Sequence, residues 1–422
     1  MTRPYRDRRF VTYWGGQAVS ELGDRVTELA LPLIAITTLG ASAAEVGVLQ
    51  AAVWAPQIVS LVVGAWVDQR RSKRRVLIAG DVLQGVAIAT LPIAWWLGVL
   101  SLGQVLTVAL VTGVGRTLFQ SAYPSFFASL VDREHYVEAN SLLSTTRSGS
   151  FIAGPALGGL LVQVLGAAVA MVVDAVSFFF SALMLSRVRM VEHEPVDDGE
   201  GLAHRAVAGF RYLWNNPFLS ASLRCCTTLN FFSFIASAVV ILYASRSLGL
   251  GAGVIGLAFG VGSIGGLSGA VLAGRIARVF GMGRVIAAGA VLFTAPYALM
   301  PLASGTDLAK AGVLACVEAI GGFGIMLFDI NLNALQTTVT RDDLRSRVSG
   351  AFATVNYGIR PLGAIVGGVL GSLIGVGPTL VVAAAGGAMS TLWLLASPII
   401  RTRTLEEFSV GDTGFEPVTS SV

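Results

Sequence analysis

Charge is what this chain has least of. Asp, Glu, Lys and Arg supply 13% of its 422 residues, about half of the roughly 25% usual in a soluble domain. That deficit excludes an ordinary soluble enzyme and a disordered segment alike. Cysteine is also scarce: Cys225 and Cys226 are adjacent and Cys316 is remote, so neither a disulfide framework nor a thiolate metal site is implied. His135, His193 and His204 stand singly in polar segments, where a solvated loop residue is the expected role and no metal is expected. A Gly-rich loop followed by Lys and Ser or Thr is missing, which argues against direct ATP drive.

What the chain has in abundance is apolar sequence, 54% hydrophobic residues together with 50 glycines. These residues run almost evenly from Trp14 to Ile400, the distribution required by spanning helices of about 20 residues each. Apolar runs bounded by charge, Gly and Pro start near Tyr13, Ala44, Val76, Leu102, Asn140, Ala168, Leu219, Val254, Val285, Ala309, Val348 and Pro378. The expected fold class is an all-α polytopic membrane protein with twelve transmembrane helices. If the amino terminus is cytoplasmic, 22 of the 29 Lys and Arg fall in cytoplasmic segments, 5 inside spans and only 2, Arg246 and Lys310, outside. The net charge of +4 is then an orientation signal that requires no nucleic-acid partner. A multi-pass protein of the cytoplasmic membrane with both termini cytoplasmic is expected. The basic start at Arg3, Arg6, Arg8 and Arg9 resembles that of a signal peptide, but the following stretch is too long and too charged, so the first span is expected to be retained.

Between Arg187 and Pro217 the chain turns polar, with Glu192, Glu194, Asp197, Asp198 and Glu200 followed by Leu202, Val207, Phe210, Leu213 and Trp214. This reads as a linker ending in an amphipathic helix that lies on the membrane interface or packs under the bundle. The expected divisions are a bundle over 1–186, the linker over 187–216, a second bundle over 217–401 and a polar tail over 402–422. The halves repeat at an offset of 209: Arg75 meets Arg284, Gly80 Gly289, Pro92 Pro301, Gly154 Gly363, Gly158 and Gly159 Gly367 and Gly368, and Gly166 Gly375. Two six-helix repeats in one orientation enclose a midplane binding site in transporters so built.

The most specific local pattern joins the second and third spans: Gly64, three residues, Asp68, then Arg70, Arg71, Lys73, Arg74 and Arg75. It resembles the signature loop of the major facilitator superfamily, although Gln69 replaces a base and Arg71 stands where Gly is usual. The resemblance implies a cytoplasmic conformational latch in which Gly64 permits close helix approach and Asp68 meets the positive end of a neighbouring helix. A basic loop that only sets orientation is the alternative. In the fifth span, Gly154, Pro155, Gly158 and Gly159 are similar to a motif of exporters in this superfamily, with Ser150 where its longer form has Gly. There Pro155 bends the helix and the glycines permit close packing, which is also the plain structural reading.

Chemistry is expected where charge enters apolar spans. Glu21, Asp24, Arg25 and Glu28 share an arc about 100° wide on the first span. Four such groups facing lipid would cost roughly 10–14 kcal/mol, so the arc faces protein or a wet cavity. Arg25 is placed to pair with Glu21 and Glu28, leaving Asp24 to exchange protons. The tenth span presents Glu318 and Asp329 on one face, Arg116 and Arg360 lie in mid-span, and Arg147, Arg224 and Asp174 lie nearer span ends, where they can snorkel. The string ending at Asp24 resembles the first helix of an efflux branch that includes enterobactin exporters and macrolide pumps. The surroundings of Arg116 loosely resemble a fourth-helix Arg motif of proton antiporters. Together these resemblances imply alternating-access export of an amphipathic small molecule by a monomer in the lipid bilayer, driven by protons with no bound cofactor and no catalytic residues. Ion pairs that only hold the bundle together, a facilitator or importer, and a sensor of the same fold are the alternatives.

Overall fold

A computed structural model describes residues 4–188, 190, 202–341 and 344–404. Among the described residues every regular element is helical. Among the described helices, six start where a short polar side chain replaces the missing intrahelical acceptor. Asp7 accepts from the Arg9 amide to start α1 (Arg8–Leu33), and a Ser42–Glu45 capping box starts α2 (Ala43–Asp68). Ser72 and Ser101 cap α3 (Lys73–Trp96) and α4 (Leu102–Leu130). α5 (Tyr136–Leu165) and α6 (Ala167–Arg187) are joined by Gly166 alone. The second half follows α7 (Leu202–Asn215) and comprises α8 (Pro217–Ser247), α9 (Ala252–Phe280), α10 (Met282–Leu302), α11 (Asp307–Val339), α12 (Arg345–Leu373) and α13 (Val376–Leu395).

Among the described residues, and apart from α7, twelve helices are long enough to cross a membrane, and ten are also apolar enough. The two exceptions are α1, which carries Glu21, Asp24, Arg25 and Glu28, and α12, which carries Asn356 and Arg360. Their polarity is what a lipid-facing helix cannot tolerate and a cavity wall requires. Large apolar side chains such as Trp96, Val164, Leu308 and Leu373 lie exposed on the periphery, as a lipid contact surface demands.

The 209-residue repeat holds in three dimensions. α1 packs on α5 and α6, α3 on α4 and α6, and α2 on α4; α8 on α12 and α13, α10 on α11 and α13, and α9 on α11 repeat these contacts. The backbone specials repeat too. Gly40 and Gly249 have φ of 69° and 70°, and Gly166 and Gly375 have 82° and 90°, a left-handed region that favours Gly. Wide turns closed by Leu39 N–H to Ile34 O and by Leu248 N–H to Tyr243 O end α1 and α8.

The halves meet along two equivalent seams, α2 on α12 and α5 on α9. A methyl placed on Gly47 would lie 2.7 Å from Gly368 Cα, and one on Gly256 would lie 2.7 Å from Gly159 Cα. The Ala44 amide donates to Ser372 Oγ at 3.1 Å, and the Gly253 amide donates to Gln163 Oε1 at 2.9 Å. All four pairs are related by the repeat. Both seams lie at the end carrying 39–42, 166, 248–251 and 374–375, opposite the end that carries α7, here called the linker face. Across the same closed end the Arg246 guanidinium donates to Ile36 O at 3.1 Å.

α7 lies against α12. A methyl on Gly209 would fall 2.7 Å from the Arg347 carbonyl carbon, Leu213 is fully buried, and Phe210 and Trp214 remain exposed. Packing under the bundle thus accounts for its inner face. The acidic stretch of the linker and the polar tail beyond 404 lie outside the described residues.

Candidate substrate and proton site

The charged arc of α1 faces a cavity, and all but one of its ion pairs among the described residues are to other helices. Arg25 pairs with Glu28 at 2.7 Å, while Glu21 accepts from Arg147 of α5 at 3.3 Å. This corrects the expected Arg25–Glu21 pair: Arg147 stands opposite Glu21 and takes it instead, with Arg25 lying 5.2 Å over the Phe151 ring. Arg116 of α4 reaches both Asp24, at 3.9 Å, and Glu28, at 3.7 Å. One guanidinium therefore stands between two carboxylates, an arrangement in which protonating or displacing either acid re-sorts the pairs.

Two cavities meet at this cluster. The first, about 480 Å³, is lined by the linker-side halves of α1, α3, α4 and α5 and is the more polar of the two: Tyr13, Gln17, Glu21, Asp81, Gln84, Gln120 and Arg147 all contribute. The second, about 320 Å³, runs between the halves toward the closed seams and is mostly apolar, with Trp54, Phe178, Phe234, Ile88, Val240 and Phe259 in its wall. Asp24, Arg25, Glu28 and Arg116 line both. Of the aromatic residues, Phe119 faces the first cavity, Phe234 the second and Phe178 both, whereas Phe126 and Phe127 are buried in packing and Phe179 and Phe180 point outward.

The second half contributes aromatic surface rather than acid. Arg360 lies 4.5 Å from the Trp54 ring, 5.2 Å from Phe234 and 4.6 Å from Tyr357, and its Nε donates to Asn230 Oδ1 at 3.0 Å. Trp54 belongs to the first half, so this cation–π stack crosses the interface. Glu318 and Asp329 line neither cavity. Glu318 accepts from the Tyr297 hydroxyl at 3.3 Å, and its Cβ packs where α9 has Gly262. Asp329 lies within electrostatic reach of Arg360 without forming an ion pair. The α11 face is turned into its own half because the glycines of α9 draw the two helices together there.

Two buried acids have no counterpart in the charged-arc reading. Asp174 is completely buried, not near a span end where it would snorkel, and accepts from the Thr27 and Ser177 hydroxyls. Asp81, 1% exposed, lines the first cavity and leaves Oδ2 without a partner. A lone Asp in each of two otherwise apolar runs was the signal available for them.

In the signature loop the bases close helix ends. Lys73 Nζ donates to the carbonyls of Val67, Asp68 and Arg70 at 3.0, 2.8 and 2.7 Å, capping α2. Arg74 donates to the carbonyls of Ser186 and Val188 at 3.1 and 2.6 Å, tying α3 to the end of α6. Arg70 stacks on Trp66 at 4.0 Å, and Arg71 and Arg75 are exposed. Gly64 does not mediate a close approach, since nothing lies within 4 Å of where its Cβ would be. Asp68 is exposed, and among the described residues its carboxylate makes no ion pair or hydrogen bond. The fifth-span motif, by contrast, is tightly packed: Gly154 lies on the Arg25 side chain, Gly158 against the Val26 backbone, and Pro155 and Gly159 on Gly256 across the interface. Among the described residues no group of His, Cys, Asp or Glu is disposed to hold a metal.

A family model described as Major Facilitator Superfamily matches residues 13–364. The multidrug efflux pump Tap of Mycobacterium tuberculosis is 28% identical over 407 residues, covering 90% of this chain and 88% of its own length. Macrolide efflux protein A of Streptococcus pyogenes is 24% identical over 187 residues, 43% of this chain and 45% of that protein. Among solved structures, a bacterial homologue of the iron transporter ferroportin in its inward-facing state has a TM-score of 0.72 at 16% identity, covering 92% of this chain and 98% of that one. At that identity the likeness speaks for the fold alone.

Proposed function

Because this chain belongs to the Major Facilitator Superfamily, we propose that it is a secondary transporter that exports an amphipathic, cation-bearing small molecule in exchange for protons. It is a multi-pass cell-membrane protein. The linker face is assigned to the cytoplasm, with both termini on that side, from the concentration of Lys and Arg there. The conformation with both seams closed is then the one open to the cytoplasm. The efflux assignment draws on the names of the Mycobacterium and Streptococcus relatives.

The observation that carries the reading is the position of Asp24, Glu28 and Arg116 where a polar mouth joins an apolar chamber. An apolar body fits against Trp54, Phe178 and Phe234, while its cationic group competes with Arg116 for Asp24 and Glu28. A proton arriving on Asp24 from the far side removes the charge that held the cation and releases it. Substrate and proton thus exclude one another at one site, which couples their fluxes without a cofactor. Alternating access opens the two glycine seams as the cytoplasmic mouth closes, and a single copy of the chain contains every part required.

The test is flux in proteoliposomes with an imposed pH gradient, using a cationic dye as substrate. Gradient-driven dye movement with counterflow of protons is expected, and Asp24→Asn, which mimics the protonated carboxyl, should weaken dye binding and abolish the coupling. Gradient-independent equilibration by the unmodified protein would make it a facilitator, and no flux at all would remove it from the transporters.

A further inference from the structure

The buried carboxyl of Asp174 has no part in the scheme above, yet its surroundings suit a group that changes protonation state. It lies on α6 behind Asp24, at the crossing with α1, where Gly23 leaves no room for a side chain because Asp174 and Ser177 occupy the space. The charged or titratable groups facing this crossing are Asp24 on α1, Arg116 on α4 and, further along the α3–α6 contact, Asp81; Arg116 pairs with Asp24 and Glu28 rather than with Asp174.

We propose that Asp174 is a second proton-carrying site, loaded from the inter-half cavity through the Thr27 hydroxyl, so that each transport cycle exchanges two protons rather than one. This rests on the proton-coupled reading. Thr27 is the connection: its side chain lines the second cavity and its hydroxyl donates to Asp174 Oδ2. The other oxygen faces Ser177, whose hydroxyl is 3.1 Å from Asp174 Oδ1 and 2.8 Å from the Asp174 backbone carbonyl. A serine hydroxyl has one proton and two lone pairs. When the carboxyl is ionised, Thr27 donates to Oδ2 and Ser177 to Oδ1; when it is protonated on Oδ2, it donates to Thr27 Oγ1, whose own proton turns to the cavity, and Ser177 donates to the backbone carbonyl or to Oδ1. Both states are thereby satisfied without moving the backbone, which a purely structural ion-pair site would not need. Loading is a proton relay: an excess proton carried by hydronium in the cavity passes to Thr27 Oγ1, which releases its original hydroxyl proton to Oδ2, leaving water, a neutral threonine and a neutral carboxyl.

Loading also has a mechanical consequence. A charged Asp174 repels Asp24 across the α1–α6 crossing, and neutralising it removes that repulsion. Occupancy of the second site is therefore felt by the first, where substrate competes.

The measurement is the substrate ratio sustained by a fixed pH gradient in proteoliposomes with the membrane potential clamped at zero. Exchange of two protons holds a ratio of about a hundredfold per pH unit, and exchange of one holds about tenfold. Asp174→Asn and Thr27→Val should each lower the limit from the first value to the second, a limit set by stoichiometry and not by how tightly the dye binds. An infrared difference spectrum between acid and neutral pH provides a readout independent of transport, since it should lose one protonated-carboxyl band in Asp174→Asn. An unchanged limiting ratio in both variants, or an unchanged spectrum, overturns the proposal and leaves single-proton exchange at Asp24 intact. A wild-type ratio indifferent to the gradient overturns the proton-coupled reading itself.

Discussion

Replacing Gly256 with Ala should move the protein toward the state with its seams open. The new methyl would lie 2.7 Å from Gly159 Cα and 3.0 Å from Gly159 N, against a normal carbon contact of about 3.5–4.0 Å. These obstacles and the still nearer Pro155 carbonyl oxygen are all backbone, so no rotamer relieves them and α5 and α9 must part by about 1 Å. Overpacking of this kind costs about 1–3 kcal/mol, and the methyl meets it only in the closed seam. The gain in helix propensity of up to about 1 kcal/mol applies in both conformations and cancels. The closed-to-open ratio should therefore fall about 5- to 150-fold. The separation also lengthens the bond from the Gly253 amide to Gln163, now 2.9 Å. Spin labels at Thr38 and Ser247, exposed residues at the closed ends of α1 and α8, report the change as a population with longer distances. Gly312→Ala is the control, because nothing lies within 4 Å of its added methyl. If Gly256→Ala folds and leaves the distance distribution as it was, or if Gly312→Ala shifts it equally, the seam does not govern the conformational balance.

Three further outcomes are expected. Arg116→Gln leaves Asp24 and Glu28 facing one another without their shared cation, so coupled transport should fall at least about tenfold while dye binding measured by fluorescence is kept or tightened. Trp54→Ala removes a wall of the apolar chamber and the ring stacked on Arg360; affinity for an aromatic cation should drop by about one order of magnitude in a quenching titration. Partial burial raises the Asp7 carboxyl, but the Arg9 side chain and amide bonded to it prevail and hold it below the usual 3.8. Its contribution to α1 is thus present above that value and is lost as pH falls through the lowered one. Asp7→Ala should cost about 1 kcal/mol in a detergent melt at pH 7 and less in strong acid.

Much of the architecture was written along the chain. Period and length alone separate twelve crossing helices, because a bilayer accepts only self-satisfied backbone of a set length. The repeat was legible through glycines: Gly166 and Gly375 recur at 209 residues since each reverses the chain at positive φ. The arc of Glu21, Asp24, Arg25 and Glu28 announced a wet cavity because no lipid face tolerates it. Other glycines carry no such label. Gly64, in the most recognisable motif, faces open space, while Gly47 and Gly256, which no motif marks, hold the halves together.

The chain by itself therefore determined how many helices cross, how they repeat and which face of α1 is hydrated, since these depend on free energies summed over single helices in water or lipid. Only the tertiary structure decided the partners. Arg147 rather than Arg25 meets Glu21, Arg116 is shared by Asp24 and Glu28, Glu318 turns to Tyr297, and Asp174 is enclosed against Thr27. Which charge finds which depends on the rotation and depth of one helix against another. Those are set by backbone contacts at glycines hundreds of residues apart, and no periodicity within one helix records them.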